Sequence, residues 1–476
     1  MKRFALLMAL IMCVSIAGAV AAETPAGTTG QAMYDGNTRV IRIASHFDWG
    51  DIYTDGQAVD ALSGYLTNPE SFEARYANQK AVEEKYNVKF EFERMTFEGL
   101  PISMDEGVLS GKPEADIYMM DIQQAMNYAL NDYLYALEDL TGPEDGVFTT
   151  QQVFKGLKFP GQDKTYLWSF YREESDPYVL GFNWTLLQSK GLENPQDLWD
   201  RGEWTWDVFL DYCEKTTDLT SSVPTYGFIG LWTNHLDGFL RSNGAQIAGT
   251  PEGGLMTAAT GQVLDMFKKL YVDLKVAKPW NPDSWNVNNH YCDGTAAFFT
   301  AANWILNDSG PDYGGGMSNP LNFEIGVVPY PVGPSGNQET NAQHSVSGNY
   351  LLIPKGIEDP SLVYHAFYAL RDWYGDDFAN TKKYDVLDPN EVPMTWSEQV
   401  VTAAAHGNEE LAANNVRLYD MAMQRVSFDP WGSLKISAGD SGGFSMMPIM
   451  NGTMTPAQFQ ETFKQPLADA LKTLYK

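Results

Sequence analysis

The chain is 476 residues long and carries 61 acidic against 32 basic residues, a formal net charge of −29. Such a negative field repels phosphate backbones and anionic lipid surfaces, so the composition argues against nucleic acid as a partner. The length favours two or three domains with substantial cores. Only Cys213 and Cys292 lie beyond residue 13, so disulfides do not hold the fold together, although one bridge between these two is possible.

The first 22 residues have the pattern of a secretory signal peptide. Lys2 and Arg3 precede an apolar stretch at residues 4–16, and small residues at 19–21 form a cleavage site. The apolar stretch is too short for a transmembrane helix. Because Cys13 lies inside this stretch rather than after small residues, we expect plain cleavage near Ala21 or Ala22. The sequence therefore predicts an exported protein.

The next part of the chain predicts a βαβ unit. After a small, polar and Gly-rich leader at 23–37, the apolar run at 39–45 predicts a buried strand, and 71–86 has apolar side chains near helical spacing. Residues 88–94 alternate as a half-buried strand does. Strand, helix and strand in this order require a parallel sheet. The apolar run at 115–121 continues that sheet.

The remainder of the chain alternates between helical and strand-like segments. The longer helices are predicted at 205–219, 257–275, 360–374 and 456–475. Strands are predicted at 166–171, 178–183, 295–300, 323–331 and 348–356. A polar, Gly-rich loop separates the last two strands. The whole pattern predicts the α/β fold class.

A serine protease motif is suggested by residues 439–443, Gly-Asp-Ser-Gly-Gly, which resemble the pentapeptide around the nucleophile of trypsin-like enzymes. The spacing argues against this function. Histidine and serine are separated by roughly 140 residues in those enzymes, whereas His406 and Ser441 are 35 residues apart. Residues 397–426 are predicted to be helical throughout, and the protease histidine lies in a barrel loop. We therefore interpret 439–443 as a turn-rich loop.

Other patterns for catalysis or metal binding are weak. The closest approach to a ligand cluster, His290-Tyr-Cys292, lacks a second pair at zinc spacing. The glycines at 314–316 follow no predicted strand, so they do not form a phosphate-binding loop. Pairs of carboxylates occur throughout the chain and cannot by themselves indicate a glycosidase. We predict no metal, no cofactor and no enzymatic activity.

Seven segments, taken in order, carry a resemblance to a known family. They are 80–93 (KAVEEKYNVKFEFE), 113–121 (PEADIYMMD), 180–217, 294–304 (GTAAFFTAANW), 323–334 (FEIGVVPYPVGP), 347–367 and 449–463. Together they resemble the extracellular solute-binding proteins of ABC-type sugar importers, the group related to maltose-binding protein. The segments span nearly the whole chain beyond the signal peptide.

The resemblance implies a two-lobed fold of the periplasmic-binding-protein type. Each lobe would be a mostly parallel sheet flanked by helices, and crossing hinge strands would join the lobes. By analogy, lobe one comprises residues 38–145 with 327–375, and lobe two comprises 150–325 with 376–476. The chain departs from the family in lacking the lipid-anchor cysteine of Gram-positive members. It also has Ala-Ala-Asn at 301–303, where relatives often have a glycine pair before the tryptophan.

The candidate ligand-binding residues follow strands, because ligands of open parallel sheets lie beyond the carboxyl ends of the strands. An aromatic ring can cover the C–H face of a pyranose, while Asp and Asn side chains bond its hydroxyl groups. The candidates are Asp48 and Trp49 after the first strand, Asp121 after the run at 115–121, Trp232, Trp304, Asn349 at the hinge-side turn, and Asp429 and Trp431 in the C-terminal region.

Several candidates have a structural alternative. A tryptophan of a large α/β protein can belong to the core, which applies above all to Trp49 and Trp232, whereas Trp304 matches the motif of the family. Asp121 can cap the following helix, and Asp429 can stabilise a turn. The residues expected to pack or cap rather than to bind are Trp184, Trp199, Trp204, Trp206 and Asn183.

The resemblance also implies a function. The protein would bind a carbohydrate ligand in the cleft between its lobes and deliver it to the membrane permease of an ABC importer, acting as a monomer in the periplasm or at the cell surface. Ligand contacts to both lobes would favour the closed state. Two alternatives remain open at this point: an extracellular glycoside hydrolase, and a binding protein of the same architecture that serves peptides, polyamines or a sensor kinase.

Overall fold

The part of the chain that the structure describes contains two larger mixed β-sheets with helices packed against them and one short two-stranded ladder. The computed structural model describes residues 38–46, 69–148, 156–159, 162–169, 177–248, 256–281, 291–302, 305–306, 322–346, 348–371, 396–430 and 445–474. No helix within these ranges is long and apolar enough to cross a membrane.

The first sheet has the strand order β2-β1-β3-β11-β5-β4. Its strands are β1 (Arg39–Ser45), β2 (Val88–Arg94), β3 (Ile117–Asp121), β4 (Gly156–Leu157), β5 (Leu167–Ser169) and β11 (Asn349–Leu352). The predicted βαβ unit is confirmed, because β1 pairs in parallel with β2 on one side and with β3 on the other.

The second sheet has the strand order β7-β8-β6-β9. Its strands are β6 (Val179–Asn183), β7 (Tyr226–Phe228), β8 (Ala296–Ala301) and β9 (Ile325–Val328). A short separate ladder joins β10 (His344–Ser345) to β12 (Val426–Ser427) in parallel. The sequence predicts neither strand of this ladder, because each has only two residues and lies in a polar region.

The predicted α/β class with helices flanking the sheets is confirmed, and both sheets contain parallel and antiparallel pairs. The parallel pairs are β1–β2, β1–β3 and β7–β8. In contrast, β11 runs antiparallel to β3 and β5, and β6 runs antiparallel to β8 and β9. Both β6 and β11 are the first strands after the chain has crossed between the sheets. A strand that enters a sheet at the edge where its neighbours end must run against them.

The helices pack on these sheets. In chain order they are α1 (Pro69–Tyr86), α2 (Gly99–Ser110), α3 (Ile122–Leu130), α4 (Trp184–Ser189), α5 (Pro195–Asp200), α6 (Trp206–Thr216), α7 (Trp232–Ser242), α8 (Ala258–Lys268, continued as a π-helical turn to Asp273), α9 (Pro360–Arg371), α10 (Trp396–Ala404), α11 (Glu409–Gln424), α12 (Met447–Met450) and α13 (Pro456–Leu474). Single 3-10 turns occupy Leu137–Asp139 and Gly146–Phe148.

The sheet membership differs from the expected lobe boundaries at two places. Strands β4 and β5, within residues 156–169, hydrogen-bond into the first sheet through the pairing of β5 with β11. Strand β9 pairs with β6 in the second sheet, and residues 344–345 pair with 426–427. The chain therefore returns to the first sheet at 346–348 rather than near 327.

One predicted helix is interrupted. Residues 397–426 were expected to be helical throughout, but α10 ends at Ala404 and α11 begins at Glu409. His406 and Gly407 between them have positive φ angles of 53° and 85°, which no continuous right-handed helix accommodates. Asn408 then caps α11 by accepting a hydrogen bond from the backbone N–H of Leu411.

The tryptophans expected to pack do so. Trp199, Trp204 and Trp206 are all buried, and Trp184 packs at the margin of the same core. The indole N–H of Trp204 donates to the carbonyl oxygen of Pro329 at 3.0 Å, which ties α6 to the segment that follows β9. Asn183 caps α4, as expected, by accepting from the backbone N–H of Leu186.

Candidate functional site

The two sheets are connected at the edges where their parallel strands end. The chain leaves the first sheet after β5 and enters the second at β6, and it returns between residues 346 and 348. The strand pairing places Asp121 and Asn349 at this edge of the first sheet, and Ala301 and Val328 at this edge of the second. We call these two edges the hinge edges. Ligands of open α/β sheets bind beyond the carboxyl ends of the parallel strands, so these edges are where a ligand site is expected.

Asp121 and Asn349 lie side by side on the first hinge edge. Asp121 ends β3, Asn349 begins β11, and the two residues are register partners in the antiparallel pair. One carboxylate oxygen of Asp121 accepts from the backbone N–H of Gln123 at 2.8 Å, so this residue is the N-cap of α3, as the sequence allowed. Burial raises the pKa of Asp121 to about 6.

The side chain of Asn349 presents a free acceptor. Its Oδ1 atom is buried and has no hydrogen-bond partner within the described part of the chain. A buried polar atom without a partner costs about 1–3 kcal/mol. The neighbouring Gly348 has φ +96° and its carbonyl oxygen accepts from the backbone N–H of Ile122 at 3.0 Å. The start of α3 is therefore tied directly to the segment that crosses between the sheets.

The second hinge edge carries Trp232. This tryptophan is the first residue of α7, follows the turn at Gly230 and Leu231 after β7, and is half-buried against the core of the second sheet. Its position beyond a strand end is where a ligand of an open parallel sheet is expected. The partial burial also agrees with the structural alternative, so its contact with a ligand stays a prediction.

A buried histidine holds the turn before Trp232. His235 Nε2 lies 2.7 Å from the carbonyl oxygen of Ile229, and Nδ1 lies 2.8 Å from the Tyr330 hydroxyl. Because a carbonyl oxygen can only accept, Nε2 carries the proton and Nδ1 accepts from Tyr330. The Thr300 hydroxyl completes the group, since it lies 3.1 Å from Nε2 and accepts from the backbone N–H of Leu231 at 3.0 Å.

The protonation state of His235 makes the stability depend on pH. Burial lowers its pKa from 6.5 to about 3. The unfolded chain therefore binds a proton below pH 6.5 while the folded protein does not. The stabilisation from neutral His235 is complete above pH 6.5 and is lost as the pH falls towards 3.

We expect the stability of the wild-type protein to fall between pH 7.5 and pH 4.5 by about 2.5 kcal/mol more than that of His235→Gln, which lacks this titration. Urea unfolding curves at several pH values measure the difference. Thr300→Val is the matched control, because it removes a partner of the ring but leaves the imidazole buried, so it should keep the wild-type pH dependence. Equal slopes for wild type and His235→Gln would show that the imidazole does not titrate as its burial requires.

Asp429 is buried beside α7 and has structural partners. Its carboxylate accepts from Arg241 Nη2 at 2.9 Å and from the backbone N–H groups of Ile247 and Ala248 at 2.8 and 3.1 Å. The side chain has no exposed area. These contacts favour the alternative that Asp429 stabilises a turn. A contact between Asp429 and a ligand stays a prediction.

The remaining candidates fall outside the described residues: Asp48, Trp49, Trp304 and Trp431, and with them Ser441 of the protease-like pentapeptide. His406, the partner proposed for that serine, lies in the exposed turn between α10 and α11. Cys213 and Cys292 do not pair with each other in a disulfide, and Cys213 is buried. Among the described side chains, no group of three His, Cys, Asp or Glu residues is placed to hold a metal ion.

Sequence reasoning missed three residues of the first hinge edge. His46 follows β1, Phe97 lies in the loop after β2, and Gln124 lies in the first turn of α3. The signal that could have found Phe97 is its position three residues after the second strand, because the ends of parallel strands lie at the same edge of a sheet. Phe97 is 42% exposed.

Comparison with known proteins identifies the family. Residues 78–367 match the family model described as bacterial extracellular solute-binding protein, which is more than half of the chain. The chain is a member of this bacterial extracellular solute-binding protein family. The predicted resemblance is therefore confirmed at the level of the family. No curated protein matches the chain at a significant level.

Solved structures of the same two-lobed architecture are similar to this solute-binding protein at low identity. An ABC substrate-binding protein of Listeria monocytogenes in complex with cycloalternan has a TM-score of 0.57 and 15% identity, covering 91% of this chain and 97% of that one. The maltose/maltodextrin-binding domain of Bdellovibrio bacteriovorus, bound to maltotriose, has a TM-score of 0.57 and 12% identity, with coverages of 91% and 100%. UgpB of Mycobacterium tuberculosis, in complex with glycerophosphocholine, has a TM-score of 0.58 and 18% identity, with coverages of 85% and 96%.

Proposed function

We propose that this protein is exported, captures a sugar or oligosaccharide between its two lobes, and delivers it to the permease of an ABC-type importer. The observation that carries this proposal is the pairing of Asp121 with Asn349 at the first hinge edge. The two side chains place acceptors next to each other where the chain crosses between the sheets. The Oδ1 atom of Asn349 is buried and has no partner among the described residues.

The chemistry of these acceptors suits a neutral polyhydroxy ligand. Adjacent sugar hydroxyl groups are donors that can bond to the Asp121 carboxylate and to the Asn349 carbonyl together, which removes the cost of the unpartnered acceptor. A ligand with anionic groups would meet the repulsion of the net charge of −29. The acceptors and the charge both favour a carbohydrate over a phosphate-bearing solute.

The similar structures support this choice of ligand class. The Listeria and Bdellovibrio proteins were solved with cycloalternan and maltotriose, and UgpB was solved with glycerophosphocholine. The last complex makes a glycerophosphodiester the principal competing ligand. A glycoside hydrolase of this architecture is disfavoured, since the family consists of solute-binding proteins, and we propose that the protein has no catalytic activity.

The proposed mechanism is hinge closure. The crossing segment at 346–348 is held on one side by the ladder of β10 with β12 and on the other by the hydrogen bond from Ile122 to Gly348. A ligand that contacts both lobes stabilises the closed arrangement. We propose that the monomer in this closed form is what the permease recognises.

We expect one of three carbohydrates, maltotriose, mannotriose or cycloalternan, to raise the melting temperature of the protein, whereas glycerophosphocholine should not. At 100 times its dissociation constant a ligand adds about 2.7 kcal/mol to the stability. The same ligand should lower the radius of gyration in small-angle scattering, and chromatography of the incubated sugar should show no shortened product. Stabilisation by glycerophosphocholine alone, or release of shortened sugars, would contradict the proposal.

A variant of Asn349 tests whether the hinge edge binds that ligand. In Asn349→Leu the unpartnered acceptor is replaced by an apolar side chain of similar size, so the free protein should not lose stability. The affinity should fall about tenfold, because one hydroxyl partner of the ligand is lost. Asn414→Leu on α11, where the amide oxygen accepts from Arg417, serves as the control and should bind as wild type does.

A further inference from the structure

Phe97 is an exposed aromatic side chain at the hinge edge of the first sheet. It lies in the loop between the end of β2 at Arg94 and the start of α2 at Gly99, and 42% of its surface is exposed. Since β1, β2 and β3 run parallel, this loop is at the same edge as Asp121. Phenylalanine is mostly buried in folded proteins, so its exposure at this edge needs an explanation.

One contact to its ring and one to its backbone hold Phe97 in place. The imidazole of His46 packs against it in a T-shaped contact, with centroids 5.4 Å apart and planes at 85°. Gln124 Nε2 donates to the carbonyl oxygen of Phe97 at 2.8 Å. The loop itself is closed by Thr96, whose backbone oxygen accepts from Leu100 at 3.1 Å. An aromatic ring fixed in this way loses little freedom when a ligand covers it.

His46 suits the role of a support for the ring. It immediately follows β1, and burial, followed by the charge of Arg94, lowers its pKa below the ordinary value of 6.5. At neutral pH the imidazole is therefore uncharged. A neutral ring packs edge-to-face against Phe97 without attracting water to the contact.

Gln124 connects Phe97 with the polar part of the hinge edge. It lies three residues after Asp121, in the first turn of α3, where side chains at this spacing are about 5–6 Å apart. Its Oε1 atom is buried and has no hydrogen-bond partner in the described part of the chain. Along the edge, an exposed aromatic face is therefore followed by acceptors on Gln124, Asp121 and Asn349.

We propose that Phe97 is a platform on which one sugar ring of the ligand stacks, while Gln124 and Asp121 accept from the hydroxyl groups of that ring. This inference rests on the proposed function and adds a preference for one kind of sugar ring. A ring is preferred when one of its faces presents C–H groups without a projecting hydroxyl, because only such a face covers an aromatic ring closely. The platform lies at the edge of the first sheet. A ligand can therefore contact it before the lobes close.

The test uses the full chain and the three carbohydrates named above, with glycerophosphocholine as the fourth probe. For the carbohydrate that binds wild type, we expect Phe97→Ala to raise the dissociation constant about 10- to 50-fold, as measured by calorimetry. Phe97→Trp should stay within about threefold of wild type, because it keeps an aromatic face. Phe97→Leu, which keeps apolar bulk without the aromatic face, should lie between them.

Ile102→Ala is the matched control. Ile102 is an apolar residue on α2 with 59% exposure, and its replacement should leave the affinity unchanged. The melting temperature of free Phe97→Ala should fall only slightly below that of wild type, because the side chain is partly exposed and the ring contact that it loses is to His46. Should a carbohydrate bind wild type and Phe97→Ala equally, the platform is wrong while the proposed function stands. Binding of no carbohydrate to wild type would contradict the proposed function itself.

Discussion

Replacing Arg241 by methionine should lower the free energy of unfolding by about 3–5 kcal/mol, the cost of leaving a buried charge without its partner. Arg241 is 5% exposed and Asp429 has no exposed side-chain area. The guanidinium donates to Asp429 at 2.9 Å and to the Ser427 hydroxyl at 3.0 Å, and it lies 3.5 Å from Asp237. Methionine fills the volume but supplies neither charge nor donors. Denaturant unfolding measures the loss.

Arg417→Met is the matched control, because Arg417 pairs with Asp200 on the surface through two hydrogen bonds, with both side chains nearly half exposed. Its loss should be about 1 kcal/mol or less. Adding Asp429→Asn to Arg241→Met removes the orphaned charge and should restore part of the stability. A loss for Arg241→Met no larger than that for Arg417→Met would refute the view that this buried pair stabilises the lobe.

The buried pair of Arg241 and Asp429 is connected through Asp237 to the segment that crosses between the sheets. Asp237, one turn before Arg241 on α7, accepts from the backbone N–H of Ser345 at 2.7 Å and from its hydroxyl at 2.6 Å. Ser345 is the last residue of β10, directly before the crossing at 346–348. The charges on α7 therefore anchor the strand from which the chain leaves for the first sheet.

Gly230→Ala should also cost about 3–5 kcal/mol, from backbone strain and overpacking together. Gly230 has φ +132°, a conformation that residues with a side chain rarely adopt. A Cβ atom there would lie 2.3 Å from the Thr300 hydroxyl and 2.4 Å from His235 Nε2. The substitution thus pushes apart the group that holds the turn before Trp232, and thermal unfolding measures the result.

Gly191→Ala separates the two causes. Gly191 also has a positive φ, +67°, but a Cβ atom there would meet no atom within 4 Å. Its replacement should cost only about 1 kcal/mol, for the left-handed backbone alone. If both variants lose the same stability, the contacts of Thr300 and His235 do not constrain this turn.

Local pattern was enough to predict most of the regular elements. The alternation at 88–94 corresponds to β2 residue for residue, and the apolar run at 39–45 corresponds to β1. Both could be predicted because the burial of one or both faces of a strand determines the pattern of apolar residues along it. The ladder of β10 with β12 has no such signal. Two residues are too few for a period, and the partners are more than 80 positions apart.

The sequence by itself determined the family, the α/β class and the order of the elements, since these depend on periodicity and on motifs within short segments. Only the tertiary structure decided which polar groups meet. It placed Asn349 beside Asp121, assigned the Asp429 carboxylate to Arg241, and left Phe97 exposed beside His46. Asp429 and Arg241 are 188 positions apart, and whether an aspartate binds a ligand or a neighbour depends on which donors the folded chain brings within hydrogen-bond distance.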